Sequence, residues 1–208
     1  MELRNYRSTD IEFLPIGILV QGAGNRIEIR NNIIHNIEAN FAPVGTKRPG
    51  ALGMALNGTS STLLRNLVVD GNELYDLQTG NGEALTVTQN AQYFQITKNI
   101  VRDSNFIGID AQGYFPDNIK YRSRNGWIAS NTVYNLSTAG NLASPPDAAA
   151  IGIYVDGGSD ITVERSNVYN TEGGIFLLSE WPGRYANKNA QHSPSTSTAC
   201  RPWRNGKP

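Results

Sequence analysis

The stretch IGIYVDGGSDITVERSNVYN, from Ile151 to Asn170, decides the fold. It consists of an apolar–x–apolar strand, a polar turn with glycine, and a closing phrase of the type Asn-x-apolar-x-Asn/Asp, in which Ser166 here replaces the first Asn. Other copies end in NNIIHN, GNELYD, KNIVRD and SNTVYN, at 31–36, 71–76, 98–103 and 130–135. Self-similarity at such a period is typical of solenoids. Since one coil cannot bury its apolar face alone, the repeats predict stacked coils with a long ridged outer surface.

The coils align on their apolar-Gly-apolar starts. The shortest step, from Gly152 to Gly174, is 22 residues, and the step from Ala84 to Gly108 is 24. A step of this length is typical of one turn of a parallel β-helix. Longer steps indicate insertions at about 39–50, 114–124 and 137–149.

Within a coil the apolar residues alternate with a period of two, which indicates strand rather than helix. Ile153 and Val155 should therefore point inward and Tyr154 and Asp156 outward, and the next strand should point Ile161 and Val163 inward. A recurring Asn is predicted at a corner of each coil. There it can tolerate left-handed geometry, bond neighbouring backbone and stack between coils. We expect this structural role for Asn32, Asn72, Asn99 and Asn131.

The composition of the chain excludes several classes of function. The chain has 208 residues, of which 39% are hydrophobic and 17% charged, and its net charge is zero. Five of its 18 Lys and Arg residues and no acidic residue lie in 181–208, so the rest is acidic and offers no basic patch for nucleic acid. No run approaches ~18 apolar residues, so no membrane insertion is expected. A single cysteine, Cys200, allows no intrachain disulfide.

The sequence divides into three segments. Residues 1–15 are predicted to form an incomplete N-terminal coil, and residues 16–180 the β-helix domain. Residues 181–208 form a non-repeat basic tail, which we expect to be disordered because it lacks hydrophobic periodicity. Since neither end resembles the cap that solenoids need, we expect this sequence to be part of a longer chain. A monomer is the alternative.

Residues 16–180 resemble the right-handed parallel β-helix proteins of the pectate-lyase-like superfamily, and more narrowly the exported bacterial β-helix proteins with GIYVDGG-x-D-I-x-V-E-R-N repeats. The resemblance rests on PIGILVQGAGNRIEIRNNIIHNIE, GEALTVTQNAQYFQITKNIVRD, NFIGIDAQG, RNGWIASNTVYN and IGIYVDGGSDITVERSNVYN. It implies an all-β fold, a single-stranded right-handed parallel β-helix of about five to six coils, at an extracellular or cell-surface location. The superfamily holds lyases, glycoside hydrolases, epimerases, esterases, tailspikes and noncatalytic adhesins, so the fold does not imply one function.

Two aspartates are predicted on one outward face. Asp110 and Asp156 fall on adjacent coils, and Tyr154 shares the column of Asp110. Coils stack ~4.8 Å apart and two residues along a strand add ~6.6 Å, so their Cα atoms should lie roughly 8 Å apart. This spacing suits shared Ca²⁺ binding or an inverting acid–base pair. A solvated polar face is the alternative.

Glu83 occupies a mostly apolar column, formed in the other coils by Ile16, Leu52, Ile107, Ile151 and Gly173. A carboxylate placed there is partly desolvated unless it is paired, and such groups often serve a functional site. The alternative is a corner Glu that turns to solvent or caps backbone amides. Our hypothesis is that Glu83 and Asp110 line one cleft.

The insertion at 114–124 follows the Asp110 strand and mixes cations with aromatic rings. Tyr114 and Arg122 suit an acidic sugar, because a guanidinium binds the carboxylate and a ring stacks on the pyranose face. In a polysaccharide lyase, a base takes the C5 proton, which is acidic because it lies α to the carboxylate. Lys120 and Arg124 are the candidates for cation or base. A charged surface loop is the alternative.

These observations predict a protein that binds an extracellular, acidic polysaccharide. If it is an enzyme, we expect a polysaccharide lyase, with a glycoside hydrolase as the second candidate. The predicted catalytic residues are Glu83, Asp110, Arg124 and Lys120. The predicted substrate contacts are Tyr114, Arg122, Tyr154 and Asp156, and the predicted Ca²⁺ ligands are Asp110 and Asp156. A noncatalytic carbohydrate-binding, adhesin or structural module of a larger surface protein stays open.

Overall fold

The computed structural model describes residues 1–59, 61–115 and 118–178 and two short strands beyond them, and the regular elements of these residues are all β-strands. For residues 114–120 only the backbone strands are described, so the side chains of Tyr114 and Lys120 lie outside the described residues. The strands, in chain order, are β1 (Glu2–Arg7), β2 (Ile16–Gln21), β3 (Gly24–Arg30), β4 (Ile33–Glu38), β5 (Leu52–Asn57), β6 (Leu64–Asp70), β7 (Glu73–Leu77), β8 (Glu83–Thr88), β9 (Ala91–Thr97), β10 (Ile100–Ser104), β11 (Ile107–Ala111), β12 (Gly113–Phe115), β13 (Asn118–Arg122), β14 (Arg124–Ala129), β15 (Thr132–Leu136), β16 (Ile151–Asp156), β17 (Ser159–Glu164), β18 (Asn167–Thr171), β19 (Gly173–Leu178), β20 (Gln191–His192) and β21 (Ser197–Thr198).

Three parallel sheets, named A, B and C below, run the length of the solenoid. Sheet A has the order β1-β4-β7-β10-β15-β18-β21, sheet B β2-β5-β8-β11-β16-β19, and sheet C β3-β6-β9-β14-β17-β20. The chain passes from sheet B to sheet C to sheet A and thus winds through six coils. The prediction of an all-β, single-stranded parallel β-helix of about five to six coils is confirmed.

The interior of the solenoid is one apolar core. Ile153 and Val155 from sheet B, and Ile161 and Val163 from sheet C, are fully buried in it, as the period of two predicts. Because every coil repeats this pattern, the inward side chains of each coil pack against those of the next coil. Burial of apolar surface, at about 25 cal/mol per Å², is therefore what holds the coils together.

A ladder of buried asparagines lies at the corner between sheets C and A. Asn72 donates from its backbone N and its Nδ2 to Asn99 Oδ1, at 2.9 and 3.0 Å. Asn99 donates in the same way to Asn131 Oδ1, both at 3.0 Å. Asn32 precedes them in the same pattern, and Ser166 ends the ladder by accepting from the backbone N of Asn131 at 3.2 Å. The structural, stacked role predicted for these residues is confirmed.

Left-handed backbone geometry lies one residue before each rung of the ladder. The φ angles are 53° at Asn31, 66° at Gly71, 55° at Lys98 and 57° at Ser130. The expectation that the ladder asparagines themselves adopt this geometry is therefore wrong. The preceding residue makes the turn, and this leaves the ladder side chain free to point along the stack.

The insertions leave the regular coils where the sequence predicts them. The first edge loop, residues 39–51, joins β4 to β5, and the second edge loop, residues 137–150, joins β15 to β16. The remaining insertion is the antiparallel hairpin β12–β13. The edge loops contact each other across the intervening coils: Asn40 Nδ2 donates to Gly140 O at 3.1 Å and Arg48 Nη1 to Ala143 O at 2.9 Å. They therefore form one wall along the junction of sheets A and B.

Two short strands lie within the segment predicted as a non-repeat tail. Strand β20 pairs in parallel with β17, and β21 pairs in parallel with β18. The other residues of 181–208 lie outside the described residues, so the disordered tail stays a prediction. No helix among the described residues has the length and apolarity to span a bilayer.

Candidate functional site

A cleft of about 370 Å³ lies on the outer face of sheet B, where the second edge loop borders β8, β11 and β16. This volume is within the usual range for small-molecule sites, about 300–1,000 Å³. Its carboxyl groups are Glu83, Asp110, Asp147 and Asp156. Its apolar wall is formed by Phe106, Ile107, Ala148 and Tyr154. We name it the sheet B cleft.

Asp110 and Asp156 lie on adjacent strands of this cleft. Strand β11 pairs with β16 so that Asp110 is beside Tyr154, which puts Asp156 two residues further along, as predicted. Both aspartates line the cleft but are only 1% and 4% exposed. The alternative of a solvated polar face is therefore wrong, because the cleft walls desolvate both carboxyl groups.

Glu83 begins β8 at the edge of the same cleft, directly beside Ile107 of β11. Its side chain is half-buried. Burial raises the pKa of Glu83 from 4.5 to about 7, and a hydrogen bond from its own backbone amide offsets this only in part. The structure thus brings Glu83, Asp110, Tyr154 and Asp156 together, and it gives the cleft an acid that is partly protonated at neutral pH.

Arg124 lies away from this group. It begins β14 in sheet C, where Nη2 donates to Asn90 Oδ1 at 3.1 Å and Nη1 to Arg122 O at 3.0 Å. Burial, and then the positive charge of Arg122, lower the pKa of Arg124 below its usual value. Among the described residues, the lining of the sheet B cleft does not include Arg124.

Arg122 ends β13 of the hairpin, outside the described lining of the cleft. Its Nε donates to Ser159 Oγ at 3.0 Å, so the hairpin contacts the first residue of β17. The roles predicted for Lys120 and Tyr114 depend on side chains outside the described residues. The roles of the predicted basic residues therefore stay predictions, whereas the predicted acidic residues line one cleft.

The second edge loop supplies site residues that the sequence did not indicate. Asp147 and Ala148 line the cleft because the loop folds back toward the outer face of sheet B. Asn141 holds the loop there: its Nδ2 donates to Gly80 O and to Asn105 O, both at 2.8 Å. The insertion was visible in the repeat spacing, but nothing in its sequence gave the direction in which it folds.

Glu172 anchors both ends of the second edge loop. Its Oε1 accepts from the backbone N of Thr138 and from Ser137 Oγ, and its Oε2 accepts from the backbone N of Ala150, each at 2.9 Å. Partial burial alone would raise the pKa of Glu172. The hydrogen bonds from Ala150, Ser137 and Thr138 outweigh that effect and hold the pKa below 4.5.

We expect Glu172→Ala to loosen this loop at neutral pH. Amides of residues 137–150 should exchange with deuterium at least about tenfold faster, because two backbone donors lose a charged acceptor worth roughly 1.5–3 kcal/mol. In the wild type the protection factors of these amides, which correct for the slower intrinsic exchange at low pH, should likewise fall on acidification. A depressed carboxyl pKa stabilises above the unfolded value and loses this contribution as pH falls through the folded value.

Hydrogen–deuterium exchange read by mass spectrometry at pH 7 and pH 3.5 checks both points. Glu28→Ala is the matched control, because Glu28 is exposed and lies on β3 of sheet C, away from both edge loops. Unchanged protection of 137–150 in the Glu172 variant would show that other contacts hold the loop.

A calcium site needs more donors than these aspartates provide. Ca²⁺ takes about six to eight oxygen ligands. In the part of the chain that the structure describes, no three His, Cys, Asp or Glu side chains are grouped to hold a metal ion. Asp110 and Asp156 alone do not make such a site, so the Ca²⁺ role stays a prediction.

Comparison with known proteins identifies the family. A family model described as "Right handed beta helix region" matches residues 7–196. The chain belongs to the right-handed β-helix family. This membership agrees with the three parallel sheets and supports the pectate-lyase-like fold inferred from the repeats.

The chain is similar to the uncharacterized protein YwoF of Bacillus subtilis (strain 168). The two are 38% identical over 178 residues, which is 85% of this chain and 36% of that relative. The chain thus spans about a third of the relative's length. No solved structure matches the chain.

Proposed function

We propose that this right-handed β-helix binds a polysaccharide in the sheet B cleft and hydrolyses it by acid–base chemistry. The observation that carries the proposal is Glu83, a half-buried acid with a pKa raised to about 7 in a cleft with three further carboxyl groups. The apolar wall, which includes the mostly buried Phe106 and Tyr154, lowers the local polarity around these carboxyl groups.

The chemistry divides between one acid and one base. Near neutral pH Glu83 still carries a proton in a large fraction of molecules, which suits a general acid. Glu83 donates this proton to the glycosidic oxygen as the bond from that oxygen to the anomeric carbon breaks. Asp110 or Asp156, as a carboxylate, takes a proton from the water that attacks the anomeric carbon. The products are two shorter chains, one with a new reducing end.

Charge favours a neutral glycan over the acidic one that the sequence suggested. The described lining of the cleft has four carboxyl groups and no Lys or Arg, so a uronate would be repelled unless cations outside this lining compensate. Elimination from a uronate also needs a cation to neutralise the carboxylate next to C5, for which the described lining gives no candidate. Hydrolysis therefore fits these residues better than a lyase reaction.

An activity screen tests the proposal. The purified protein is incubated with neutral glycans, pectate, alginate and glycosaminoglycans, with Ca²⁺ or with chelator. New reducing ends are measured by a colour assay and unsaturated products by ultraviolet absorbance. We expect reducing ends without unsaturation, unaffected by chelator. Unsaturated product that disappears on chelation would instead establish a calcium-dependent lyase. If a folded protein gave neither reducing ends nor unsaturated product, the result would contradict catalysis.

A noncatalytic binding module is the second candidate, favoured by the length of the ridged surface relative to the small cleft. The double variant Asp110→Asn/Asp156→Asn, which removes both candidate bases, separates the two. An enzyme keeps sugar binding but loses turnover, since the amide cannot accept the proton from water, whereas a binding module has no turnover to lose. Measured binding and turnover of this variant, side by side, decide between them.

A further inference from the structure

A second concave surface crosses the outer face of sheet C. It consists of two adjoining hollows of about 440 and 240 Å³, which share Val68, Gln95 and Trp127. These three residues are register neighbours on β6, β9 and β14, and Glu28 of β3 lies beside Val68. Because neighbouring strands lie ~4.8 Å apart, this sheet C groove extends about 14 Å along the solenoid.

Two exposed aromatic rings line the sheet C groove. Tyr93 is 55% exposed and Trp127 37%. Contacts orient the indole: Trp127 Nε1 donates to Glu164 Oε1 at 2.9 Å, and the guanidinium of Arg165 lies 5.7 Å from the ring centre. A fixed indole beside an exposed phenol is a surface on which flat, apolar faces of a ligand can stack.

The backbone of Tyr93 is unusual for an aromatic residue. Its φ is 54°, in the left-handed region that bulky side chains rarely adopt. The corresponding positions of neighbouring coils share this geometry but carry smaller or more polar residues, namely Arg26, Asn66, Asn125 and Asp160. Tyr93 therefore accepts a conformational cost without gaining core burial, which points to a surface role.

Planar polar groups accompany the rings. Gln95 lies beside Trp127 in the sheet, and Asn125 precedes Trp127 by two residues. Within the described part of the chain, the carboxamides of Gln95 and Asn125 form no hydrogen bond, so their donors and acceptors are available. A carboxamide has one acceptor and two donors and can pair with adjacent hydroxyl groups of a sugar.

The charges of the groove argue against a polyanionic ligand. Arg30 pairs through Nε with Glu28 at 2.7 Å and through Nη1 with Asp70 at 2.8 Å. Only Arg26 and Lys98 remain as further cations among the described lining residues. Single-stranded nucleic acid needs a groove that is positive along its length. A neutral ligand with apolar faces and many hydroxyl groups fits this lining instead.

We infer that the sheet C groove is a second carbohydrate-binding surface, which holds a stretch of neutral polysaccharide against Tyr93 and Trp127. This inference rests on residues other than those of the sheet B cleft. It holds even if no polysaccharide is cleaved in that cleft. In a catalytic chain it would keep the polymer attached between turnovers, and in a noncatalytic chain it would be a binding face in its own right.

Affinity electrophoresis of the full chain tests the inference. The gels contain xylan, mixed-linkage β-glucan, galactomannan or dextran, with polygalacturonate and single-stranded DNA as anionic probes. We expect at least one neutral polymer to retard the wild type. Trp127→Ala and Tyr93→Ala should each weaken that retardation roughly tenfold or more, because aromatic anchors carry much of the binding energy. Tyr169→Ala, which removes an exposed ring from sheet A, is the control and should bind as the wild type does.

A fluorescence titration gives an independent readout that does not depend on truncating the ring. The chain has three tryptophans, so Trp181→Phe combined with Trp203→Phe leaves Trp127 as the only tryptophan, whose emission is excited selectively at a wavelength that tyrosine does not absorb. Its emission should shift on titration with an oligosaccharide of the retarding polymer. The inference is overturned if no neutral polymer retards the protein, if the anionic probes bind instead, or if both alanine variants bind normally.

Discussion

Glu83→Gln is expected to slow polysaccharide cleavage by roughly 100- to 10,000-fold, the usual contribution of a general acid. Gln has the same size but cannot donate a proton to the glycosidic oxygen, so sugar binding should change little. The wild-type rate should fall as pH rises above about 7, because the raised pKa of Glu83 then leaves it deprotonated. The measurement is kcat and KM on the substrate found in the screen, over a range of pH.

Glu12→Gln is the matched control, since it makes the same change at an exposed carboxylate. It should leave kcat and the pH profile as in the wild type. Equal rates for the two variants would remove Glu83 from the chemistry.

Glu83→Gln is also expected to change how the free energy of unfolding depends on pH. Because the folded pKa of Glu83 lies above the unfolded value of 4.5, the folded protein binds this proton more tightly than the unfolded chain does. Wild-type stability should therefore fall as pH rises from about 4.5 to about 7, by about 3 kcal/mol. Glu83→Gln lacks this titrating group. Its free energy of unfolding should therefore increase relative to that of the wild type over the same pH interval. Urea unfolding at pH 4 and pH 8 measures the difference.

Asn99→Ala is expected to destabilise the protein by about 3–5 kcal/mol, the largest stability effect that we predict for one side chain. Asn99 is fully buried and its carboxamide joins three coils. The substitution leaves the backbone N of Asn72 without its acceptor and the backbone O of Val69 without the donor that now lies 3.0 Å away. Each buried group left unsatisfied costs about 1–3 kcal/mol. Urea unfolding at neutral pH measures the loss.

Two further variants show whether the ladder bonds are the cause. Asn99→Ser should be intermediate, because Ser166 already accepts a rung hydrogen bond in the fifth coil. Asn25→Ala removes an exposed amide that accepts from Asn66 at 2.7 Å and should cost less than about 1 kcal/mol. If Asn99→Ala were no less stable than Asn25→Ala, the ladder would not contribute to stability.

The repeat made the fold predictable from the sequence. Its period gave the coil length, its alternation separated core residues such as Ile153 from outward ones such as Asp156, and its breaks located the insertions. These features depend on local spacing and on burial, which a sequence displays directly. The turn geometry was less accessible, because left-handed residues such as Lys98 and Ser130 carry no sequence signal of that backbone conformation.

The candidate site was only partly visible in the sequence. Glu83 stood out because a carboxylate interrupts an apolar column, and Asp110 and Asp156 followed from coil alignment. Asp147 could not be found in this way, since its position depends on how the second edge loop folds over the coils. Arg124 was grouped with the site by its closeness in sequence, yet it begins a strand of sheet C.

The most direct measurement is the mapping of sugar binding onto the structure. Glu83→Gln protein, labelled with ¹⁵N, is titrated with a short oligosaccharide of the polymer that the wild type cleaves or binds, and amide chemical shifts are followed by NMR. If the sheet B cleft is the functional site, residues around Asp110, Tyr154 and Asp156 shift in a saturable manner. Saturable shifts confined to other faces, or none at a concentration that saturates binding, would contradict a polysaccharide site in this cleft.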